Sequence, residues 1–285
     1  MAVVATGFFD GVHLGHRQVI QTLVSSARQR GEEAIVVTFA QHPRAVLQQD
    51  ARILRLLNSP QEKETLLRSL GVDRVETLPF DRTFARLTAA DYIRDVLRDR
   101  LGATCLILGY DNRLGSDCLG PDAIRPQAES LGLEVDIVPA SSASDIVVSS
   151  TKIRKALEEG RVEDAEAMLG YAYGLRGVVV SGKQLGRKLG FPTANLRLYD
   201  PMKLVPAKGV YLTEVEVLGA HYWGMTNVGD IIETNIFDFN EDIYGLDLSI
   251  RFRRHLRDMR SFDSLDALSA QLAADRDACR ALLAE

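Results

Sequence analysis

The sequence predicts an α/β N-terminal domain with a parallel sheet, followed by a small antiparallel β-barrel domain with a C-terminal helix. Up to about Pro139, short apolar runs alternate with helical segments, which is typical of a Rossmann-like parallel sheet flanked by helices. Further along, strand-like runs follow one another without intervening helices, which indicates an antiparallel sheet or small barrel. We place the boundary near Tyr171–Arg176, which gives domains of residues 1–170 and 171–285.

The first domain is predicted to contain five strands: Ala2–Thr6, Ala34–Phe39, Arg74–Leu78, Cys105–Gly109 and Leu133–Val138. The segment Arg17–Arg30 is compatible with a helix. The clearest helix begins at Ser59-Pro60-Gln61-Glu62, because Ser is an N-cap, Pro suits the first turn and Glu completes a capping box. Gly71 ends this helix, and a further helix over Ala89–Leu101 ends at Gly102.

The second half begins after a charged helical stretch that extends to about Leu169. Predicted strands follow at Gly209–Val217, Ile232–Phe239 and Leu246–Phe252, the last with alternating apolar and polar residues. The tail, Asp263–Leu283, has apolar residues at helical spacing, which predicts a helix packed on the barrel: Leu265, Leu268, Leu272 and Cys279.

The composition narrows the class of protein. A chain of 285 residues with 46% apolar content can bury the core of one large or two ordinary domains. Its net charge of −5, with both signs interspersed, argues against a nucleic-acid partner. Cys105, Cys118 and Cys279 form no C-x-x-C pair, which argues against a disulfide framework or a zinc site. No apolar run has the roughly 20 residues of a membrane span, and no signal peptide precedes Ala2. We therefore expect a cytoplasmic protein with no membrane association, and a weak homo-oligomer is compatible with the sequence.

The segment that follows the first strand, residues 7–16, has the sequence GFFDGVHLGH. A strand, a glycine-rich turn and a helix start direct free backbone N–H groups and the positive end of a helix dipole at one point, which suits a phosphate. His13 and His16 add side-chain donors at the same point. This pattern favours nucleotide phosphate chemistry over metal binding, although Gly and His are also ordinary turn residues.

A second motif, Ser150-Thr151-Lys152-Ile153-Arg154, offers hydroxyls, a cation and a guanidinium at a predicted helix start. By itself the motif favours a purely structural interpretation, an ordinary N-cap with a solvated basic turn. Together the two motifs resemble the nucleotidyltransferase superfamily of adenylyl- and cytidylyltransferases. Attack by a phosphate oxygen on an α-phosphorus requires alignment and neutralisation of charge on the departing pyrophosphate, and no protein nucleophile. The imidazoles and Arg154 have the chemistry for this.

Two loops, residues 38–43 and 109–115, each follow a predicted strand. The carboxyl ends of parallel strands meet at one edge of the sheet, so both loops are expected on the same rim as His13. Loops of this kind often contain Gly, Pro and Asp for structural reasons alone.

Residues 182–195, GKQLGRKLGFPTAN, are the most specific segment of the second half. The residue order of a P-loop is absent, but three glycines and three cations make a loop suited to ATP phosphates. Thr193 and Asn195 lie two apart on an extended segment, so their oxygens would share one face as ligands for Mg²⁺. A basic surface hairpin is the alternative.

Five motifs occur in one order: GFFDGVHLGH, SSTKIR, GRKLGFPTAN, GVY at 209–211 and DIYG at 242–245. From about Val3 to the final helix, the chain resembles the bacterial bifunctional riboflavin kinase/FAD synthetase family. The resemblance implies that a C-terminal kinase domain phosphorylates riboflavin with ATP to give FMN. It also implies that an N-terminal domain, an FMN adenylyltransferase, converts FMN and ATP to FAD and pyrophosphate.

The resemblance also implies roles for particular residues. Glu233 would be the general base of the kinase, Thr193 and Asn195 would hold Mg²⁺, and His13, His16 and Arg154 would serve adenylyl transfer. The implied nucleotide-binding residues are Gly7, Phe9, Asp10, Gly11, Gly15, Ser150, Thr151, Gly182, Lys183, Arg187, Gly190 and Pro192. The implied flavin-binding residues are His42, Pro43, Asn112, Gly115, Arg257 and Phe262.

The chain departs from the family pattern after Asn227-Val228-Gly229, which leads directly into Asp230-Ile231-Ile232-Glu233. Family members commonly have N-x-G-x-R-P-T and a loop before the glutamate. Either the kinase site is shortened or residues are missing from this position, and we favour missing residues because Glu233 and its strand otherwise match well. The start at Met1 is also abrupt for the family. Ala40-Gln41 and Leu114 differ from the residues common in the flavin-side loops, which affects FMN affinity more than chemistry.

Two other functions stay open on the sequence. One is a monofunctional FMN adenylyltransferase with a degenerate kinase site. The other is a non-catalytic flavin or nucleotide sensor, against which the retained Glu233, Thr193, His13 and His16 argue.

Overall fold

The computed structural model describes residues 1–42, 55–139, 148–182, 186 and 189–284. The chain divides into two compact units, Met1–Ser150 (the N-unit) and Thr151–Glu285 (the C-unit). This division assigns the two helices after Ser149 largely to the C-unit, whereas our boundary between residues 170 and 171 assigns them to the first domain. That boundary stays a prediction.

The N-unit contains a five-stranded sheet in which every neighbouring pair is parallel. Its strands are β1 Ala2–Thr6, β2 Glu33–Phe39, β3 Arg74–Leu78, β4 Ala103–Gly109 and β5 Glu134–Val138. Their order is β3-β2-β1-β4-β5, so the chain reverses its direction of winding between β1 and β4. The predicted parallel α/β sheet is confirmed.

Helices cover both faces of this sheet: α1 Leu14–Arg30, α2 Pro60–Ser69, α3 Ala89–Asp91 with its π-helical continuation Tyr92–Arg100, and α4 Pro121–Ser130. Apolar residues of α1 and α2 pack with Val3, Ala5 and Val36 on one face. Residues of the π-helix and α4 pack with Val4 and Val37 on the other. The central strands β1, β2 and β4 are buried on both faces because they are almost continuously apolar rather than alternating.

The predicted start of α2 is confirmed at atomic level. Glu62 N donates to Ser59 Oγ over 3.2 Å, and Ser59 N donates to Glu62 Oε2 over 2.9 Å. The helix predicted over Ala89–Leu101 needs a correction, because it is π-helical from Tyr92. Leu101 N donates to Val96 O, five residues back, and Tyr92 hydroxyl forms a buried 2.7 Å hydrogen bond with Thr6 at the end of β1.

The C-unit forms a closed antiparallel barrel of strand order β10-β7-β6-β11-β8-β9, which confirms the predicted barrel. The helices before it are α5 Ser150–Glu158 and α6 Val162–Leu169. The strands are β6 Gly174–Val180, β7 Ala194–Leu198, β8 Gly209–Val217, β9 Ala220–Val228, β10 Ile232–Ile236 and β11 Asp247–Asp258. Helix α7, Leu265–Ala284, follows. β10 ends before the predicted Phe239, and β11 continues beyond the predicted Phe252.

The barrel interior contains a chain of hydroxyl groups as well as apolar side chains. Thr226 Oγ1 lies 2.8 Å from Thr213 Oγ1 and 2.9 Å from Thr234 Oγ1, and all three side chains are fully buried. These hydrogen bonds join β8, β9 and β10. Because a buried hydroxyl without a partner is costly, they favour one register for the three strands.

Helix α7 packs on the outside of the barrel, as predicted. Leu272 and Cys279 belong to a cluster with Val210, Leu212 and Met225 of β8 and β9. Leu265 differs from expectation, since 56% of it is exposed at the helix start. Among the described residues, no helix combines the length and apolarity needed to cross a membrane.

The loop after β4 packs its backbone against the start of α3. Gly115 has a φ of +74°, and a Cβ placed there would lie 2.1 Å from Ala89 N and 2.2 Å from Asp117 Oδ1. A hydrogen bond of 2.9 Å from Ala89 N to Asp117 Oδ1 occupies the space in which this Cβ would lie. The position therefore requires glycine for two reasons, its left-handed backbone and its close approach.

We predict that Gly115→Ala lowers the free energy of unfolding of the N-unit by about 2–5 kcal/mol, since it combines left-handed strain with a backbone clash. Gly132→Ala is the matched control, because Gly132 has a φ of +83° and no atom within 4 Å of its Cβ position. The control should cost only about 1 kcal/mol. Calorimetric unfolding of the two variants measures the difference, and equal losses would contradict the steric argument.

Candidate functional site

The first candidate site lies at the carboxyl ends of β1 and β4. The strand order reverses between these two strands, and in open α/β sheets ligands bind in the crevice at such a switch point. The segment Gly7–His16 leaves β1 there and leads into α1. The loop of residues 109–115 leaves β4 at the same edge, and Asn112 Nδ2 donates to Thr6 O over 2.9 Å.

The turn after β1 is strained. Phe9 has a φ of +53°, Val12 a φ of +38° and Gly11 a φ of +84°. Left-handed backbone at a non-glycine residue costs on the order of 1–3 kcal/mol, and it persists only where the surroundings determine it. Gly7 lies close beside it, because a Cβ there would lie 3.2 Å from the Phe9 ring and would require that ring to shift slightly.

Polar contacts fix this turn from two sides. The buried Asp10 carboxylate accepts hydrogen bonds from Leu57 N (3.0 Å) and Asn58 N (3.3 Å), which lie just before α2. Ser150 Oγ, at the start of α5, donates to Asp10 O over 2.9 Å. Asp10 and Ser150 thus stabilise the turn, and their contact with a nucleotide stays a prediction.

His13 and His16 form a stacked pair at the start of α1. His13 is the N-cap, and its Nδ1 accepts from His16 N over 3.3 Å. The two rings lie 3.6 Å apart at 15°, and the edge of Phe9 contacts His16 at 5.2 Å. Gly15 lies beside this stack, and a Cβ there would make an ordinary contact of 3.4 Å with the His13 ring. The structure therefore brings the two predicted histidines together.

Both imidazoles are held neutral. Burial lowers the pKa of His13 to about 4, although its hydrogen bond with the backbone opposes the shift. Burial also lowers the pKa of His16 well below its usual value, with further lowering by the charges of His13 and Lys63. Among the described residues, Nδ1 of His16 is buried without a hydrogen-bond partner. At neutral pH the pair can therefore act as hydrogen-bonding groups and not as cations.

The structure adds Lys63, which the sequence analysis did not select. Lys63 of α2 is only 5% exposed, and its Nζ donates to Thr38 Oγ1 (2.9 Å) and Phe8 O (3.0 Å) at the edge where the histidines lie. A sequence signal existed, because Lys63 shares the helical spacing of the apolar Leu66, Leu67 and Leu70. A lysine within an apolar stripe indicates a buried cation with a specific partner.

The other residues predicted for the N-unit site differ in where the structure places them. His42 packs its ring on Phe8 at 4.4 Å, near the turn, whereas Pro43 lies outside the described residues. Gly115 serves the packing of α3, as described above. Thr151 and Arg154 lie in the first turns of α5, after Ser150, with Thr151 exposed and Arg154 half-buried. Their roles stay predictions.

The second candidate site lies on the outer face of the barrel. Glu233 of β10 pairs with Asn195 of β7 on one side and with Asn227 of β9 on the other. Directly opposite residues of antiparallel strands point to the same face, so Glu233 and the two asparagines form one row. Thr234, the next residue, points into the barrel and is fully buried. The sequence analysis selected Glu233 and Asn195 but missed Asn227 as their neighbour.

The segment before β7 folds closely against this row. Asn235 Nδ2 donates to Pro192 O over 2.7 Å, and a Cβ on Gly182 would lie 2.2 Å from Asn195 Nδ2. Gly186 O accepts from Phe191 N over 2.8 Å, and the Cβ position of Gly186 is 3.3 Å from Thr193 Oγ1. These contacts place both predicted metal ligands beside glycine backbone.

The structure describes only some of the residues predicted for this loop. Gly190 has a φ of +81°, which explains glycine there. Lys183 and Arg187 lie outside the described residues. Within the described residues, no group of three or more His, Cys, Asp or Glu side chains could hold a metal ion.

Arg257, a predicted flavin contact, is engaged within the C-unit. Its guanidinium forms an ion pair with Asp275 of α7 (Nη2 to Oδ2 2.7 Å), and Gln271 Nε2 donates to Asp275 Oδ1 over 2.6 Å. The guanidinium carbon lies 5.9 Å from the centre of the Phe262 ring. The structure thus brings the two predicted residues together at the end of β11, while their contact with flavin stays a prediction.

The connection after Gly229, where the sequence departs from the family pattern, is a tight turn. Val228 pairs with Ile232, and Gly229 N donates to Ile231 O over 3.1 Å across the connection. The register that places Glu233 opposite Asn195 is therefore compatible with this short connection. Whether residues are missing at this position stays a prediction.

Comparisons with known proteins match the two halves of the chain to two family models. A family model described as FAD synthetase matches residues 1–152, and one described as riboflavin kinase matches residues 169–283. The protein named bifunctional riboflavin kinase/FMN adenylyltransferase of Listeria monocytogenes is 34% identical, over 99% of this chain and 93% of its own length. The Escherichia coli K12 protein of the same name is 35% identical, over 96% and 90%.

A solved structure also matches over both units. A crystal structure from Streptococcus pneumoniae, described as a macrolide-efflux protein, has a TM-score of 0.92 and 35% identity. It covers 98% of this chain, which covers 93% of it. This chain therefore shares its fold with that protein over both units.

We predict that His13→Asn makes the protein less sensitive to acid. Asn is a good N-cap residue, and it removes an imidazole whose folded-state pKa is about 4 against a usual value of 6.5. As pH falls below 6.5, the unfolded chain takes up a proton at His13 that the folded chain does not, so stability falls until about pH 4. At pH 5 this single group costs about 2 kcal/mol.

Urea unfolding at pH 7 and pH 5 measures the effect. The wild-type chain should lose about 2 kcal/mol more than His13→Asn between the two pH values. Equal losses would show that His13 is not held neutral by burial.

Proposed function

The chain belongs to the family of bifunctional riboflavin kinase/FMN adenylyltransferases, and we propose how its two sites carry out the two reactions. The enzyme phosphorylates riboflavin with ATP to give FMN, and it transfers the adenylyl group of a second ATP to FMN to give FAD and pyrophosphate. The observation that most strongly supports our assignment of residues is the stacked, neutral His13–His16 pair at the start of α1.

In the N-unit, we propose that the start of α1 binds ATP phosphates. The helix dipole and backbone N–H groups favour an anion there, and neutral His16 can donate a hydrogen bond without being consumed as a base. An FMN phosphate oxygen then attacks the α-phosphorus, the bond to the bridging oxygen breaks, and pyrophosphate leaves. Arg154 is proposed to stabilise the charge that develops on pyrophosphate, since a guanidinium presents a planar fork of N–H donors that matches phosphate oxygens.

We propose that the loops at the same edge bind FMN. Asn112 is fixed to Thr6 O, and the Phe8–His42 ring pair offers an aromatic surface beside the turn. Pro43 and Gly115 belong to the same two loops. A flavin ring stacks well on aromatic side chains, so this edge suits the flavin half of FMN.

In the C-unit, we propose that Glu233 is the general base. Its carboxylate lies on the outer barrel face, flanked by Asn195 and Asn227. A carboxylate within hydrogen-bond reach of a ribityl hydroxyl can accept its proton while the oxygen attacks the γ-phosphorus of ATP. ADP is the leaving group. The glycines at 182, 186 and 190 allow the preceding loop to approach the nucleotide phosphates closely.

The residues beside Glu233 fit a magnesium ion that arrives with ATP. Thr193 offers a hydroxyl and Asn195 an amide oxygen, and a Cβ on Gly182 would lie 2.2 Å from Asn195 Nδ2. Mg²⁺ prefers oxygen ligands and is usually held by few protein groups plus nucleotide phosphates. We propose that Thr193 and Asn195 hold it. When bound, the ion supplies positive charge to the transferring phosphoryl group.

We further propose that the enzyme works in the cytoplasm on small-molecule substrates. The net charge of −5 with interspersed signs supports a chain without a nucleic-acid partner. We propose no membrane partner and at most a weak homo-oligomer.

Two substitutions should separate the activities. His16→Ala should abolish FAD formation from FMN and leave FMN formation from riboflavin intact, and Glu233→Gln should do the reverse. The physical reason is that each removes one reacting or phosphate-binding group from one unit only. Chromatographic separation of riboflavin, FMN and FAD after incubation with ATP and Mg²⁺ measures both rates in one assay.

Three outcomes would contradict the assignment. Loss of both activities in either variant would rule out independent sites. A wild-type chain that makes FAD from FMN but no FMN from riboflavin would indicate a monofunctional adenylyltransferase with a degenerate kinase site. Tight flavin binding without either product would indicate a sensor.

Removal of Mg²⁺ with EDTA should stop both reactions, and unchanged rates would contradict the proposed ligands.

A further inference from the structure

A buried ammonium group lies beneath the strained turn of the N-unit. Lys63 is on α2 and is 5% exposed, in a row with the apolar residues that pack α2 on the sheet. Removing an ammonium group from water is costly unless its hydrogen bonds are satisfied. An apolar side chain of similar volume would fill the same space without this cost. The presence of a lysine therefore requires a reason beyond packing.

All three N–H bonds of Lys63 have protein acceptors. Nζ donates to Thr38 Oγ1 at 2.9 Å, to Phe8 O at 3.0 Å and to Phe39 O at 3.5 Å. An ammonium group has three donors and no acceptor, so the three oxygens match its donors in number, with Phe39 O the most distant at 3.5 Å. Phe8 also places its ring face 4.1 Å from Nζ, a cation–π contact. Lys63 thus joins the ends of β1 and β2 and acts through other groups.

The contacts of Lys63 and Asp10 are complementary. Lys63 of α2 binds the backbone of the turn at Phe8, while Asp10 of the turn binds Leu57 N and Asn58 N just before α2. The helix and the turn are therefore joined by two polar links in opposite directions. Loss of either link would release the left-handed Phe9 and Val12 from one of their constraints.

The charge of Lys63 also acts on the histidine pair. Burial lowers the pKa of Lys63 to about 8, and the nearby Asp10 carboxylate opposes that shift. The ammonium group is therefore mostly charged at neutral pH. Its charge contributes, with burial and His13, to the low pKa of His16. Among the residues that the structure describes, His13 and Lys63 on α2 act on the charge of His16, and Asp10 in the turn acts on Lys63.

We infer that Lys63 is a positioning residue for adenylyl transfer: it fixes the turn that aims the start of α1 at the ATP phosphates, and it supplies a buried positive charge beneath that turn. The inference rests on the proposed role of the N-unit and deepens it. Lys63 touches no substrate. Its effects are the geometry of the phosphate site and the positive charge beneath the turn.

Lys63→Met tests the inference, because methionine preserves length and removes the charge. We expect kcat/KM for ATP in FMN adenylylation to fall about 100-fold through misplacement of the phosphate site. Riboflavin phosphorylation by the same sample should be unchanged. Arg68→Met is the matched control on α2, since Arg68 is exposed and pairs with Glu64. The control should change adenylylation by less than about twofold.

The pH profile separates a charge effect from simple destabilisation. Without the repulsion from Lys63, the pKa of His16 rises, so the acid limb of the adenylylation profile should move to higher pH. Lys63→Arg retains the charge, so its acid limb should stay at the wild-type position even though its rate falls. An unchanged acid limb in Lys63→Met, or adenylylation within about twofold of wild type, would overturn the inference.

Different results would contradict the proposed N-unit function and the role of Lys63. If the wild-type chain makes no FAD, the proposed N-unit function fails and the inference fails with it. If the wild-type chain makes FAD and Lys63→Met does so equally well, the inference alone fails. If calorimetry shows that Lys63→Met does not fold, Lys63→Arg decides, and a displaced acid limb or an unchanged rate in that variant overturns the inference.

Discussion

The strained turn after β1 is the constraint on which the N-unit site depends. Phe9 and Val12 both have left-handed backbone, and such strain persists only where surrounding contacts determine it. Asp10, Ser150 and Lys63 supply those contacts. The turn places the start of α1, with its stacked histidines, at the switch point of the sheet. A site that is formed before ATP arrives does not lose binding energy to the ordering of its own backbone.

Strand register is the corresponding constraint in the C-unit. Side chains alternate between the two faces of a strand, so a slip of one residue would turn Glu233 into the barrel. The buried threonine chain across β8, β9 and β10 would then lose its hydrogen bonds. The same register places Glu233 between Asn195 and Asn227. Packing inside the barrel thus determines which groups meet on its outer face.

Local patterns predicted the elements that have strong local causes. The apolar runs of β1 to β5, the capping box of α2 and the alternation within β11 were sufficient for their prediction. Helix α4 was missed because Pro126 lies inside it and its N-cap, Gly120, makes no side-chain cap. The motif residues were predicted, but their neighbours were not: Lys63 reaches the turn, and Asp275 pairs with Arg257, only through tertiary packing. The π-helical form of Tyr92–Arg100 likewise has no local signal that we could identify.

The most direct test of a preformed turn is amide hydrogen exchange at Val12, whose N–H donates to Phe9 O over 3.1 Å. Exchange reports opening on the timescale of minutes to hours. Our account predicts that, without nucleotide, the Val12 amide is as well protected as the interior of β1, and that added ATP changes this little. Exchange at the rate of an open loop until ATP is added would show that the turn forms only on binding, and would contradict the account.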